Sequence, residues 1–528
     1  MHSPQKLMFT ILCTLSLMSV LGFGLFWFNG THIAHNFNGW QHLFDFAFFA
    51  LVTYIVWLPI FMKMGLWSIT SHIKPAFSTV PKPGLRVALI TTFVPASESI
   101  DLLHKTLPAM QSVTYAHDTW LLDEGNDPAV KMLCEQYGVR HFSRNGIAHY
   151  NTEDGKFARK TKGGNHNSWY DTIGNQYDIV AQMDTDFIPS KDFLEKTLGY
   201  FSDPKVAFVG TPQIYGNTSE SLIALGAAQQ TFSFYGPLLR GMAGMNTSML
   251  IGANHVVRVT ALKDVDHYSA HITEDLLTGM KLHANGWKSI YVPEALAIGE
   301  GPVTWKSYFA QQKRWAYGCM HILFNHSFGL FKSMSLRRIA YYFVIQQHYF
   351  GGLAMFLSVL CLVSYFAFGF QPMDMGLAQF LTLYFSVVVI SMYIDFWIQR
   401  FNIRPKQERG IMWAGMYMGI VAWPIYLMAF FALFKTKKMV YKVTPKGKKV
   451  RQESPSAKLF VPHFTLASIT LICLISSLYT HRESAVMLFW ATVSCILLFI
   501  VPLLPSVSAY IKQRTKHKRR YITTSETA

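Results

Sequence analysis

Six apolar segments of membrane-spanning length surround one hydrophilic stretch, and this arrangement constrains the fold more than any other feature of the chain. They cover residues 7–28, 43–62, 339–368, 377–397, 464–479 and 485–506, of which the fifth is the shortest. A bilayer core of about 30 Å is crossed by about 20 helical residues, so each segment predicts a membrane-spanning helix. We therefore expect a membrane region at 1–80, a hydrophilic domain at 81–338, a second membrane region at 339–510 and a basic tail at 511–528.

Positive charge is concentrated in loops beside the apolar segments. The formal net charge is +17, and Lys and Arg crowd residues 400–409, 435–451 and 512–520. Such loops mark the cytosolic side of a membrane protein, and no nucleic-acid module accompanies the charge. We expect a multi-pass protein of the bacterial cell membrane that contacts lipid and no nucleic acid. Its N-terminus, its hydrophilic domain and its tail are expected in the cytosol.

Residues 411–434 are equally apolar but lie between two of the basic loops. A single crossing would put these loops on opposite sides of the membrane, and the segment is too short for two crossings. Pro424 also interrupts the segment. We therefore expect a re-entrant or interfacial helix here, not a seventh span.

Strand and helix patterns alternate through the hydrophilic domain. The predicted strands are 86–92, 119–122, 179–183 and 207–210, and the predicted helices are 100–111, 128–137 and 165–173. This alternation predicts an α/β domain whose mostly parallel sheet is covered by helices on both faces. Ligands of such sheets gather at the carboxyl ends of the strands. Asp123, Asp184 and Asp186 stand at such ends.

Acidic residues at two strand ends are candidates for binding a nucleotide. Asp184 and Asp186 flank Thr185 directly after an apolar strand. Mg²⁺ takes hard oxygen ligands and binds through one or two carboxylates plus substrate phosphates, so this pair could hold a nucleoside diphosphate. An acidic surface loop has the same pattern. Asp123, just before Gly125, is placed to bond a base or ribose edge, although a turn or helix-capping Asp has the same pattern.

Thr273-Glu274-Asp275 precedes an amphipathic helix predicted at 276–284. Ordinary helix capping produces this pattern. The functional interpretation makes Asp275 a general base, which takes the proton from an acceptor hydroxyl as its oxygen attacks a sugar carbon.

Gln311, Arg314 and Trp315 occupy positions i, i+3 and i+4 of a helix predicted at 308–323, so their side chains share one face. A guanidinium can clamp a diphosphate and an indole can stack on a sugar ring. A helix at the membrane interface carries Trp in the same way.

In this order, between membrane segments, the four signatures resemble those of the processive glycosyltransferases of family 2, such as cellulose synthases and, more distantly, hyaluronan and chitin synthases. The segment 120–126, Trp-Leu-Leu-Asp-Glu-Gly-Asn, is similar to the family's Leu-Leu-Asp-Asp-Gly-Asn, and 162–165, Lys-Gly-Gly-Asn, to its Lys-Ala-Gly-Asn. Residues 211–213 resemble its Thr-Pro turn, and 441–447 resemble its gating loop. The resemblance reaches from the first span to about Gly447. It implies a GT-A, Rossmann-like catalytic domain that builds a β-linked polymer from a UDP-sugar, with UDP-glucose and a cellulose-like glucan expected, and passes it across the membrane.

The resemblance also implies a role for each motif residue. Asp275 would be the base, and Asp184 and Asp186 would complete the catalytic set by holding Mg²⁺ or Mn²⁺. The implied donor-binding residues are Asp123, Lys162, Asn165, Asp184, Arg314, Thr444 and Lys446, and the implied acceptor-binding residues are Gln311, Trp315 and Glu274.

Three departures from the family pattern leave alternatives open. The family's first-strand Pro-Thr-Tyr-Asn-Glu is replaced by residues 91–95, with Glu98 as a substitute contact, and a longer loop, 147–161, precedes Lys162. No cyclic-dinucleotide-binding barrel accompanies the motifs, so such regulation would require an accessory or regulatory protein. The alternatives are a synthase of another β-glycan (β-1,3, mixed-linkage or N-acetylglucosamine polymer) and a membrane enzyme that makes a single transfer.

Overall fold

The computed structural model describes residues 3–435, apart from 76, 78 and 96, and residues 457–499, apart from 483. The predicted contacts Thr444 and Lys446, nearly all of the basic loop 435–451, the end of the sixth apolar segment and the tail 511–528 lie outside the described residues. The described parts form an α/β domain and a group of long apolar helices.

Within the described residues, ten strands build two sheets of the α/β domain. In chain order they are β1 (Val87–Phe93), β2 (Asp118–Asp123), β3 (Arg140–Phe142), β4 (Ile179–Met183), β5 (Ile188–Pro189), β6 (Val206–Gly210), β7 (Ile214–Tyr215), β8 (Asn254–Arg258), β9 (Lys288–Tyr291) and β10 (Ala297–Gly299). The larger sheet has the order β3-β2-β1-β4-β8-β6-β9, and the smaller one has the order β5-β10-β7.

The larger sheet is parallel except at β8, which runs antiparallel to both of its neighbours, β4 and β6. The prediction of a mostly parallel α/β sheet is confirmed, but the sequence did not predict β8. Its buried Asn254 and His255 interrupt the apolar run that would have indicated a strand. Strands β2 and β4 both pair with β1 in parallel, so their carboxyl ends meet at one edge of the sheet.

Helices cover the sheet and continue from it towards the membrane region. In the α/β domain they are α3 (Ile100–Gln111), α4 (Pro128–Tyr137), α5 (Lys162–Thr172), α6 (Phe193–Leu198), α7 (Leu222–Ser233), α8 (Leu239–Ala243), α9 (Val259–Asp264), α10 (Glu274–Ala284), α11 (Trp305–Ile322) and α12 (Phe328–Phe331). The predicted helices 100–111 and 128–137 are confirmed. Ser99 and Asp127 cap these two helices with their side chains, which explains why the sequence located their starts.

The apolar helices are α1 (Ser3–Trp27), α2 (Leu43–Thr70), α13 (Leu336–Gln347), α14 (Gly351–Val363), α15 (Leu377–Ile398), α16 (Trp413–Val421), α17 (Trp423–Ala432), α18 (Val461–Thr480) and α19 (Ala485–Phe499). In the described part of the chain, five segments are long and apolar enough to cross a membrane, with α13 and α14 joined into one of them. The bent pair α16–α17 would make a sixth. The chain is a multi-pass membrane protein.

Connections between the long helices meet at the end remote from the α/β domain. The loop after α1 contacts the loop before α15, since Asn36 donates to the Gln371 carbonyl oxygen at 2.7 Å and Asp374 donates to the His32 carbonyl oxygen at 2.9 Å. Arg482, after α18, donates to the Phe366 carbonyl oxygen at 2.5 Å, next to the same loop. Three interhelical loops therefore share one side, as the six-span topology requires.

The pair α16–α17 begins and ends on the side of the α/β domain. Arg240 of α8 donates to the Phe401 carbonyl oxygen at 3.0 Å shortly before the pair, and Phe460, after it, packs on Trp305 of α11. The two helices meet at an angle of 42°. This path supports the re-entrant interpretation of residues 411–434, because a single crossing would leave the chain on the opposite side.

One apolar core runs from the sheet into the membrane region. It joins Leu89 of β1 and Val256 of β8 to Tyr308 of α11, and continues to Met418 and Tyr426 of the bent pair. Interiors packed in this way resist deformation. The edge of the sheet that carries the acidic motifs is therefore held in a fixed position relative to the membrane helices.

Candidate active site

The Asp184-Thr185-Asp186 loop is braced from three strands. The Asp184 amide donates to the Ala253 carbonyl oxygen at 2.7 Å just before β8, and the Thr185 hydroxyl donates to the Thr92 carbonyl oxygen of β1. The Asp186 carboxylate is 4% exposed and accepts the Glu300 amide at 3.2 Å after β10. Both carboxylates are consequently fixed at the edge where the parallel strands end.

Lys162, in the first turn of α5, connects two parts of the site. Its ammonium group lies 2.5 Å from Asp184 Oδ1 and 2.6 Å from the Gly252 carbonyl oxygen. Gln182 also donates to Asp184 Oδ1 at 3.2 Å. Asp184 thus has a positive counter-charge at the position that the sequence assigned to donor binding.

Asp275 is held in a fixed orientation at the start of α10. Its Oδ2 accepts the Gly252 amide at 2.8 Å and its Oδ1 accepts the Leu276 amide at 2.8 Å. Burial raises the pKa of Asp275, while the two amides and the positive charges of Lys162 and Arg314 oppose that rise. The carboxylate is therefore oriented, desolvated and close to two cations.

Glu274 precedes Asp275 and is also buried, at 7% exposure. Burial, together with the negative charge of Asp275, raises the pKa of Glu274 to about 7. Two adjacent carboxylates in one desolvated site repel each other, so one of them binds a proton more readily. Perturbed carboxylates of this kind are typical of catalytic sites.

Helix α11 carries the Gln-x-x-Arg-Trp residues and packs directly on the start of α10. At Gly318, a Cβ atom would lie 2.4 Å from Thr273 Cγ2, so the two helices approach as closely as a glycine permits. Gln311 is buried and donates to the Tyr215 hydroxyl at 3.3 Å, while Trp315 is half-buried. The structure therefore brings the two late motifs into contact, which their sequence separation does not reveal.

Asp123, at the end of β2, is fully buried and is used by its own turn. Its carboxylate accepts the Gly125 amide at 2.8 Å and the Asp127 amide at 2.7 Å, and His141 Nε2 lies 3.2 Å from it. These contacts match the turn interpretation. Asn165, on α5, donates to the Leu122 carbonyl oxygen at 3.3 Å, while its side-chain oxygen has no hydrogen-bond partner within the described residues. That oxygen is an acceptor for a donor-sugar or nucleotide group.

The long loop 147–161 is anchored to the nucleotide edge of the sheet by one buried arginine. Arg144 is completely buried and donates to the Glu124 carboxylate at 2.8 Å. Its guanidinium also donates to the carbonyl oxygens of Tyr150, at 3.0 Å, and Ala158, at 3.2 Å. The loop is therefore an ordered wall beside Asp123. Glu98, considered as a substitute nucleotide contact, accepts the Val94 amide at 2.7 Å and so stabilises its own turn.

Several residues of the site were not found from the sequence. Gly252 contacts both Lys162 and Asp275, but a single glycine between loop residues gives no signal. Tyr215 and Tyr235 line the approach to Gln311 and are linked by Gln213, which donates to the Tyr215 hydroxyl at 3.3 Å and accepts from the Tyr235 hydroxyl at 2.9 Å. Gln213 follows the Thr-Pro turn noted above, and that was the available signal.

Comparison with known proteins places this site in a recognised context. The family described as "Glycosyl transferase family group 2" matches residues 179–435. A cellulose synthase of Dictyostelium discoideum, matched in its catalytic chain, is 35% identical over 167 residues, which cover 30% of this chain and 16% of that protein. The cellulose synthase catalytic subunit of Pseudomonas fluorescens is 24% identical over 393 residues, which cover 72% of this chain and 51% of that protein. The chain thus spans about half, or less, of the length of these relatives.

A mannosyltransferase from Pyrobaculum calidifontis, solved in complex with GDP-Man and Mn²⁺, is a similar solved structure. It is 13% identical with a TM-score of 0.45, and the match covers 74% of this chain and 99% of that one.

Proposed function

We propose that this chain, a cellulose synthase-like glycosyltransferase of family 2, is a hexosyltransferase of the cell membrane that builds a β-linked polysaccharide from UDP-glucose on the cytosolic side and passes it across. The observation that carries the proposal is the convergence of the four motifs on one edge of the sheet. Lys162 contacts both Asp184 and Gly252, Gly252 holds Asp275, and α11 packs on the start of α10.

Asp275 is proposed as the general base. Both of its oxygens accept backbone amides, so the carboxylate cannot rotate away, and its raised pKa increases its ability to take a proton. The proton leaves the acceptor hydroxyl as that oxygen forms a bond to the anomeric carbon and the bond to the diphosphate breaks. A single in-line displacement inverts the anomeric centre, so an α-linked donor gives a β-linkage.

Asp184 and Asp186 are proposed to hold Mg²⁺ or Mn²⁺. Two fixed carboxylates offer the hard oxygen ligands that these cations prefer, so the residues present fit such an ion. When bound, it would neutralise charge on the diphosphate leaving group. Asp123, Lys162, Asn165 and Arg314 are proposed donor contacts, as are Thr444 and Lys446 outside the described residues.

The acceptor is proposed to lie along α11, between Trp315, Glu274 and Gln311. Amide and phenol groups continue from there, since Gln311 contacts Tyr215 and Gln312 accepts the Tyr426 hydroxyl of α17 at 2.9 Å. Aromatic faces with adjacent hydrogen-bonding groups suit sugar rings. This polar path from the base to the bent pair supports repeated transfer with movement of the product into the membrane region.

The test is polymer formation by the purified chain in lipid vesicles, with Mg²⁺ and radiolabelled UDP-glucose, UDP-N-acetylglucosamine or GDP-mannose supplied in turn. We expect long product from UDP-glucose, degraded by a β-glucan hydrolase, and no product from the Asp275→Asn variant. The exposed Asp266, which pairs with Lys156, provides the matched control Asp266→Asn. Long product from another donor alone would overturn the choice of sugar. Only single-sugar products would favour the single-transfer alternative.

A further inference from the structure

Three histidines from two separate segments meet next to the catalytic helix α10. His271, His321 and His326 each offer a ring nitrogen, and these atoms all lie within 4.8 Å of one another. His271 Nε2 and His321 Nδ1 are 3.1 Å apart. In a tetrahedral zinc site the Zn–N bonds of about 2.0–2.1 Å hold the nitrogens about 3.3 Å apart. One edge of the cluster already has this length, and all three rings are only partly buried, which leaves access from solvent.

A local distortion of helix α11 brings two of these rings together. Residues five apart on a regular α-helix point about 140° away from each other. After α11, however, the chain forms a π-helical turn, Leu323–Ser327, which inserts an extra residue into the helical repeat. The ring centroids of His321 and His326 are 5.8 Å apart as a result. Such π-turns occur frequently at functional sites.

The third ring is oriented by the catalytic motif itself. His271 Nδ1 lies 3.1 Å from Thr273 Oγ1 and accepts the Thr273 amide at 3.1 Å. Binding of a cation at Nε2 requires the proton on Nδ1, where it can be donated to Thr273 Oγ1. An outer hydrogen bond of this kind fixes the ring of a metal-binding histidine. A cation here would thus act on the residue that directly precedes Glu274.

We propose that His271, His321 and His326 form a binding site for a divalent transition metal such as Zn²⁺, distinct from the Asp184–Asp186 pair. Imidazole nitrogens suit Zn²⁺, Co²⁺, Ni²⁺ and Cu²⁺, whereas Mg²⁺ prefers oxygen ligands. The metal joins the loop before α10 to the end of α11, across the contact between Thr273 and Gly318. It therefore regulates the site by locking the base-bearing helix onto the helix that carries the Gln-x-x-Arg-Trp residues.

The test is Co²⁺ binding to the full chain in detergent, after chelator treatment and with excess Mg²⁺ to occupy oxygen-ligand sites. Four-coordinate Co²⁺ bound by nitrogen absorbs visible light strongly, so binding is measured without any activity assay. We expect one Co²⁺ per chain, displaced by Zn²⁺. His326→Gln and His321→Gln should each abolish the absorption, and Thr273→Val, which keeps the side-chain shape, should weaken Co²⁺ binding about tenfold to a hundredfold.

His104→Gln is the matched control, because this histidine is exposed on α3 and contacts only Tyr137 among the side chains of the described residues. It should bind Co²⁺ like the unaltered chain. Absence of the absorption in the unaltered chain would overturn the proposal. Retention of full Co²⁺ affinity in both His326→Gln and His321→Gln would overturn it as well. Since no sugar donor is used, neither result depends on the proposed transferase activity.

Discussion

The contact between Gly318 and Thr273 predicts that a single methyl group on α11 disables the site. In Gly318→Ala, the new Cβ would lie 2.4 Å from Thr273 Cγ2 and 2.5 Å from Thr273 Oγ1, whereas ordinary contact begins at 3.4 Å. The two helices must separate by about 1 Å, and a misplacement of this size costs about a hundredfold in rate. Overpacking also destabilises a protein by about 1–3 kcal/mol, partly offset by the better helix propensity of alanine, about 0.5–1 kcal/mol.

The assay is incorporation of labelled glucose from UDP-glucose into product in vesicles, together with the thermal unfolding midpoint. Gly329→Ala is the matched control, because a Cβ at Gly329 of α12 meets no atom within 4 Å. It should retain full activity and lose no stability.

Compensation provides a sharper test of the same contact. Thr273→Ala removes both of the clashing atoms, and the nearest remaining atom, Thr273 Cβ, is 3.0 Å from the new methyl group. Residues in direct contact have non-additive effects, so the double variant Gly318→Ala/Thr273→Ala should be more active than Gly318→Ala alone. Equal activity of Gly318→Ala and Gly329→Ala would refute the reasoning.

Three further predictions follow from the buried charges. Burial raises the pKa of Glu274 from 4.5 to about 7, so its contribution to stability is full below pH 4.5 and is lost as the pH rises through 7. Glu274→Gln should therefore unfold at a higher temperature than the unaltered chain at pH 8.5, by up to about 3 kcal/mol, and show a smaller difference at pH 5, measured as unfolding midpoints; a constant difference at both values would contradict it. Asp275→Asn should abolish transfer while UDP affinity, measured by calorimetry, stays unchanged; an equal loss of UDP affinity would make Asp275 structural. Lys162→Met leaves Asp184 without its cation and should weaken UDP-sugar binding, whereas Lys156→Met, which loses a surface pair with Asp266, should not; equal affinities would remove Lys162 from the donor site.

The sequence determined the elements whose signals are local. Apolar length predicted the membrane helices, charge beside residues 411–434 predicted that this segment does not cross, and the caps at Ser99 and Asp127 located two helices. Strand-end position predicted that Asp184 and Asp186 stand at one edge of the sheet, because parallel strands align their carboxyl ends. These properties depend on neighbouring residues, so they can be read without the fold.

Only the tertiary structure decided which motifs touch and which groups surround them. The contact of Gly318 with Thr273, the amide of Gly252 on Asp275 and the meeting of His271 with His321 join segments 23 to 50 residues apart. The raised pKa of Glu274 likewise depends on burial by the assembled domain. Such contacts form because the packed core fixes the helices relative to one another, and no local pattern in the chain records that packing.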